Sequence, residues 1–260
     1  MSALEYRAPE WLVAPSSPVE VTVVGAGGTG SHFLDALASL DFVLRKQTHP
    51  GLHVRVYDDD AVSEFNAGRS RFSPADVGLN KAAILIHRLN AFYGIEWEAH
   101  PRRVDPADLG RERLLVTCVD SGAFRADLGA EAHSWRDTLW LDMGNGADTA
   151  NCILGHLGGT HNDPLRLPNV YDLYGAAALR AGDADDTPSC SMEEALRRQS
   201  LPINRMVATW GMTLLHELIA HGSLAYHGLF ISLSGVQVSR LQIDPDVWAA
   251  YGHVHSDCPA

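Results

Sequence analysis

The β-branched run at residues 19–25, Val-Glu-Val-Thr-Val-Val-Gly, passes directly into Gly25-Ala26-Gly27-Gly28-Thr29-Gly30. No other feature constrains the fold as much as this junction. A short β-branched run closed by glycine reads as a buried strand. Beyond it, from Thr29 to about Lys46, Phe33, Leu34, Leu37, Leu40 and Leu44 recur at helical spacing. Glycines between a strand and a helix permit a tight turn and let a phosphate approach the backbone. The helix N-terminus then offers free N–H groups and a partial positive charge. Asp58 ends the next strand-like run, His53 to Asp58, where a carboxylate can accept hydrogen bonds from ribose hydroxyls.

Alternation continues along the chain. Residues 80–92 read as a helix with Ile84, Leu85 and Leu89 inward; 97–104 and 114–120 as strands; 124–135 as a helix; 138–144 as a fifth strand. Such alternation implies a mostly parallel sheet with right-handed crossovers. After Asn145 the pattern changes, and residues 147–158 and 229–243 read as antiparallel strands. Between them lies an irregular stretch, 160–190, with Pro164, Pro168, Pro188 and the acidic cluster Asp183, Asp185, Asp186, followed by a helix over 203–221. Residues 1–18 read as an extended arm. The expectation is a Rossmann-like, doubly wound α/β fold whose mostly parallel sheet is extended by antiparallel strands.

Composition narrows the function. With 46% hydrophobic and 20% charged residues the chain is globular, and its net charge of -12 argues against nonspecific nucleic-acid binding, which uses Lys and Arg to displace phosphate counterions. The longest apolar-rich stretch, 203–221, contains Asn204, Arg205, His216 and Glu217, so no membrane span is expected. The N-terminus lacks a secretory pattern. Cys118, Cys152, Cys190 and Cys258 are far apart, with no CxxC pair, which suits reduced cytoplasmic thiols.

The segment after Asp58 separates nucleotide chemistries. Asp58-Asp59-Asp60-Ala61-Val62-Ser63-Glu64-Phe65-Asn66-Ala67-Gly68-Arg69 precedes Asp76-Val77-Gly78-Leu79-Asn80-Lys81. A nicotinamide-dependent oxidoreductase built on Gly25–Gly30 and Asp58 leaves Asn66, Arg69, Lys81 and Asp120 without a task. Attack of a carboxylate on an α-phosphate brings two anions together, and Arg69 and Lys81 can neutralise them. Asp120, in Cys118-Val119-Asp120-Ser121-Gly122-Ala123-Phe124-Arg125, falls at the carboxyl end of a strand and suits Mg²⁺, although an isolated Asp there is commonly a helix cap. Arg125 reads as structural, pairing with Asp120 or a neighbouring loop. A nucleotide-binding scaffold without catalysis is a third reading.

The order GAGGTG, DDDAVSEFNAGR, DVGLNK, TCVDSGAFR resembles the ThiF/MoeB/HesA superfamily, bacterial relatives of ubiquitin-activating enzymes. Within it the chain is most similar to the ThiF-family proteins of the PRTRC cassette. The resemblance implies one adenylation domain over 1–260: an arm at 1–18, a nucleotide-binding half at 19–145, and a carrier-binding half at 146–260 with a crossover loop at 160–200. It implies ATP bound by Gly25, Gly27, Gly28 and Gly30, ribose held by Asp58, phosphates contacted by Asn66, Arg69 and Lys81, and Mg²⁺ on Asp120. The implied partner is a small ubiquitin-like or sulfur-carrier protein with a C-terminal glycine, which the enzyme adenylates. Cys190 is the candidate acceptor of the activated acyl group. Relatives are usually homodimers, as the resemblance implies for this chain, and in many of them an arginine from one subunit reaches the other's ATP site. Their Arg-Tyr-x-Arg-like motif is missing, and Arg7 is the stand-in candidate. The paired CxxC motifs of zinc-binding relatives are also missing, so no structural zinc is expected.

Two further groups look like metal ligands. His216 and His221 are five residues apart, about 140° around a helix, which argues against a shared ion. His253, His255 and Cys258 read as a polar tail.

Overall fold

The computed structural model describes residues 4–109, 112–131, 138–158, 166–183 and 200–253. Among the described residues the strands are β1 (Tyr6–Arg7), β2 (Val19–Val24), β3 (Leu52–Tyr57), β4 (Glu98–His100), β5 (Leu114–Thr117), β6 (Thr138–Asn145), β7 (Thr149–Leu157), β8 (Ser223–Leu224), β9 (Tyr226–Ser232) and β10 (Gln237–Gln242). The α-helices are α1 (Glu10–Val13), α2 (Gly28–Lys46), α3 (Lys81–Tyr93), α4 (Gly122–Glu131), α5 (Val170–Gly182), α6 (Ile203–His221) and α7 (Pro245–Ala249).

Eight strands form one sheet in the order β10-β9-β7-β6-β5-β2-β3-β4. Strands β4, β3, β2, β5 and β6 run parallel; β7, β9 and β10 extend the sheet antiparallel. This is the doubly wound arrangement with its antiparallel extension. Val21, Thr22, Val23 and Val24 are buried on successive positions of β2, as a strand covered on both faces requires. Helix α2 packs against α3 and α6, and α4 against α5. With right-handed crossovers, this puts the first group on one face of the sheet and the second on the other.

Register matters most for function. Val24 pairs with Tyr57 on one side and with Thr117 on the other. The next residues, Gly25, Asp58 and Cys118, therefore leave the sheet side by side. The chain crosses from β2 to β3 in one direction and reaches β5 on the opposite side of β2. Such a switch point opens a crevice at the carboxyl ends of the strands.

Several local readings change. Helix α5 stands inside the stretch read as irregular. A reciprocal cap starts it: the Asn169 side chain accepts from Tyr171 and Asp172 N–H, and the Asp172 side chain accepts from Asn169 N–H. Gly175, at φ 73°, interrupts the helix and hides its period. Strand β4 stops at His100 because Pro101 follows. The arm is not simply extended: Tyr6 and Leu12 are buried, and β1 pairs with β8. Among the described residues no helix is long and apolar enough to cross a membrane.

Candidate active site

The glycine turn packs tightly except at one residue. Gly25 has φ 95°, and a Cβ there would lie 2.8 Å from the Cys118 carbonyl oxygen. A Cβ on Gly30 would lie 2.0 Å from the Gly25 carbonyl oxygen, and one on Gly28 would lie 2.7 Å from Asn204 Nδ2. These three glycines bring strand, helix α2 and helix α6 together. Gly27 differs, since nothing lies within 4 Å of its would-be Cβ. It is the N-cap of α2, no side chain caps that helix, and its first turn carries no acidic residue. Open space before an uncapped helix N-terminus is the condition for holding an anion.

Asp58 clasps the turn. Its Oδ2 accepts Ala26 N–H at 2.6 Å and its Oδ1 accepts Asp60 N–H at 3.0 Å. Burial pushes this carboxyl above the usual range, against the pull of the two N–H groups and Lys81. Asn80 caps α3 by accepting Ala83 N–H at 2.9 Å, and donates to the Asp58 and Asp60 carbonyls. Lys81, the first residue of α3, is thereby brought to the same edge. Its Nζ lies 2.7 Å from Asp60 Oδ2, with Lys81 buried and Asp60 open to solvent. The ammonium is thus paired with an exposed carboxylate rather than a buried one.

The loop between Asp60 and Lys81 carries Asn66 and Arg69. Two short 3₁₀ turns shape it, each closed by a side chain: Asn66 Oδ1 accepts from Ser63 N–H and Oγ, and Asp76 Oδ2 from Ser73 N–H and Oγ. Arg88 grips Asp76 with both carboxylate oxygens at 2.8 Å. Burial raises the Asp76 carboxyl, but the Ser73 and Arg88 bonds outweigh it and hold it low. The first turn of α2 anchors the loop. Ser31 Oγ donates to Gly28 carbonyl and accepts Arg71 N–H, both at 3.1 Å. His32 Nε2 donates to the Arg69 carbonyl at 3.2 Å, because a carbonyl can only accept. Burial lowers the His32 pKa, and the charges of Arg205 and Arg71 push the same way. Arg69 itself is half-buried, which lowers its guanidinium pKa.

Asp120 follows β5. It is not the cap of α4: Ser121 Oγ accepts Phe124 N–H at 3.1 Å, and Asp183 takes the N–H groups of Gly122 and Ala123 at 2.5 and 2.8 Å. The Asp120 carboxylate is exposed at the crevice side of the sheet. Arg125 does not pair with it. Its Nε donates to Asp142 Oδ1 at 2.8 Å and its Nη2 to the Val119 carbonyl at 2.6 Å. Asp142, buried on β6, also accepts from Thr117 Oγ1 at 2.5 Å, and Trp140 Nε1 donates to that hydroxyl at 2.7 Å. This buried network fixes the strand ends from which Asp120 projects.

Asn145 at the end of β6 and Asn204 near the start of α6 join these elements to the glycine turn, with Thr29 Oγ1 at 2.9 Å from Asn145 Oδ1 and 3.1 Å from Asn204 Oδ1. Beyond the end of β6 lies a cavity of about 160 Å³ lined by Arg125, Asp142, Asn145, Asn151 and Tyr174, among others. Sequence reading missed Thr29, Asp142, Asn145 and Asn204. The available signals were a carboxylate inside an apolar strand and an amide inside an apolar helix. Arg7 lies on β1, in register with Ser223. Cys190 lies outside the described residues. Burial raises the thiol of Cys118, and that of Cys152 to about 12, so neither is a ready nucleophile.

Solved structures share this fold at low identity. E. coli MccB with ATP matches with a TM-score of 0.60 and 17% identity, over 92% of this chain and 65% of that one. E. coli MccB alone gives 0.61 and 16%, over 91% and 65%. PaaA gives 0.59 and 15%, over 86% and 64%. The chain thus spans just under two thirds of the length of these structures. No curated protein matches it in sequence. The ThiF family model matches residues 16–245, nearly the whole chain. With that match and the doubly wound sheet beneath it, the chain belongs to the ThiF family.

Proposed function

We propose that this protein binds Mg·ATP at the switch point and adenylates the C-terminal glycine carboxylate of a small ubiquitin-like or sulfur-carrier protein. The observation that carries this reading is the open, uncapped N-terminus of α2 at Gly27, beside Asp58 and beside loops that deliver Lys81 and Arg69. A nicotinamide cofactor has no use for those two cations. MccB, a microcin C7 biosynthetic enzyme, has been solved with ATP and with AMPCPP and MccA, which supports a nucleotide and a small polypeptide meeting on this fold.

In the proposed reaction a carboxylate oxygen of the carrier attacks the α-phosphorus. The bond from that phosphorus to the bridging oxygen breaks, and pyrophosphate leaves. Gly27 and the first turn of α2 would face phosphate, and Asp58 the ribose. Lys81 would exchange Asp60 for phosphate oxygens, while Arg69, whose carbonyl is held by His32, would meet the charge developing in the transition state. Asn66 would help hold the phosphates. The exposed, uncommitted carboxylate of Asp120 fits Mg²⁺, which would neutralise phosphate charge. The cavity of about 160 Å³ beside Asn145 suits a narrow tail.

Cys190 is the proposed acyl acceptor: its thiolate would attack the acyl carbon of the adenylate and release AMP. The raised thiols of Cys118 and Cys152 leave them unsuited to that role. The enzyme is proposed to act as a homodimer, with Arg7 the candidate for an arginine given to the partner's site.

Pyrophosphate–ATP exchange, run with a ubiquitin-like protein ending in Gly-Gly and with the same protein lacking its last residue, tests the reading. Exchange should depend on the intact tail and disappear in Lys81→Ala. Exchange that ignores the tail, or persists without Lys81, refutes it.

A further inference from the structure

The last turns of α6 carry His216, Glu217 and His221. Their backbone positions spread around the helix, and the five-residue spacing alone argues against a shared ion. The side chains nevertheless come together. One donor atom from each residue lies within 4.8 Å of the other two. Side-chain reach closes the gap: the two imidazoles meet edge to face, with ring centroids 6.0 Å apart and planes at 87°. His221 Nε2 lies 3.8 Å from Glu217 Oε2, too far for a hydrogen bond.

We propose that His216, Glu217 and His221 form a binding site for a divalent transition-metal ion, best suited to Zn²⁺. Two imidazoles and one carboxylate are a recurrent three-ligand set for zinc, leaving a fourth position for water. Mg²⁺ and Ca²⁺ prefer all-oxygen shells and are disfavoured by two nitrogen donors. Bonds of about 2.0–2.2 Å at tetrahedral angles bring ligand atoms to roughly 3.3 Å from each other. The donors must therefore draw in by up to about 1.5 Å. The side chains of His221 and Glu217 are 61% and 42% exposed, so they are free to rotate that far. His221 is the final residue of α6, and a helix C-terminus attracts cations. None of the three residues belongs to the crevice at the carboxyl ends of the parallel strands.

The position also gives the ion a consequence. Gly222, the next residue, accepts Ala8 N–H at 2.9 Å, and Ser223 and Leu224 pair with Arg7 and Tyr6. An ion here braces the helix end on which the N-terminal arm is seated.

The test is titration of the chelator-stripped, full-length chain with Co²⁺ and then Zn²⁺. One equivalent of Co²⁺ should bind with the visible absorption of a four-coordinate ion, and Zn²⁺ should displace it. His216→Ala and His221→Ala should each weaken uptake by about tenfold or more, with Glu217→Gln weaker in effect. The double variant, His216→Ala with His221→Ala, should keep its circular dichroism and lose the signal. Failure of the wild-type chain to take up a stoichiometric ion overturns the proposal. So does unchanged uptake in the double variant, which places the ligands elsewhere, His253 and the residues after it included. Metal uptake is read without nucleotide or carrier, so the result is independent of the adenylation reading.

Discussion

Two alanine substitutions three residues apart should fail in opposite ways. In Gly30→Ala the new methyl would sit 2.0 Å from the Gly25 carbonyl oxygen and 3.3 Å from Cys118 Cβ. Ordinary contact starts near 3.4 Å, so the carbonyl must retreat by about 1.4 Å. It has little freedom to do so, because the neighbouring bonds Gly25 N–H to Tyr57 and Cys118 N–H to Val24, at 2.9 and 2.8 Å, tie both flanks of the turn into the sheet. The cost should reach about 3 kcal/mol, the upper end for overpacking. That corresponds to a melting temperature lower by roughly 6–12 °C in a chain of this size. In Gly27→Ala the methyl meets nothing within 4 Å. Stability should fall by no more than about 1 kcal/mol, the difference between glycine and alanine at an N-cap. The methyl would instead occupy the space proposed for phosphate, and ATP affinity should fall by about tenfold or more, which is ~1.4 kcal/mol. Thermal unfolding of both variants, with and without Mg·ATP, reads out the two effects together. A Gly30→Ala protein that melts with the wild type, or a Gly27→Ala protein that binds ATP as well as the wild type, would refute this account of the turn.

Further outcomes follow from the same geometry. Removing Arg125 alone, as Arg125→Met, leaves Asp142 buried without its cation and should cost about 3–5 kcal/mol in urea unfolding; adding Asp142→Leu should return much of that, and a loss below 1 kcal/mol for the single variant would contradict the pairing. His32→Ala removes the donor to the Arg69 carbonyl and should raise the KM for ATP by roughly 2–10-fold, from a hydrogen bond worth about 0.5–1.5 kcal/mol. His32→Gln should restore part of it, while equal KM values in all three proteins would remove His32 from the account. His227 is buried between the Leu154 carbonyl and Trp248, and burial lowers its pKa to about 4. The unfolded chain binds this proton at pH ~6.5 and the folded one does not until near pH 4, so stability falls on acidification across that window. The loss is about 3 kcal/mol, and His227→Gln should flatten the pH dependence there; an unchanged slope would contradict it.

The parts of this site that were legible in the chain are those fixed by short-range order. The glycine turn, Asp58 and the Asn80–Lys81 helix start each declare themselves within a few residues, because strand ends and helix caps are local events. The register of β2 against β3 and β5 then assembles them without further information. What was not legible depends on partners far apart in sequence. Arg125 on α4 meets Asp142 on β6, and Thr29 meets Asn145 and Asn204 across the whole domain. Helix α5 was obscured by a local break, since Gly175 splits its period into two short pieces. For His216 and His221, side-chain reach brings the two imidazoles edge to face despite their separation around the helix, which backbone angle alone does not show.

Ligand-dependent unfolding tests the central claim most directly. Mg·ATP at about 100 times its dissociation constant should stabilise the fold by ~2.7 kcal/mol. NAD⁺ and NADH should leave it unchanged, and the ATP effect should shrink in Lys81→Ala and in Arg69→Ala. Stabilisation by NAD⁺ or NADH, or an ATP effect indifferent to both cations, would contradict an adenylation site at this edge of the sheet.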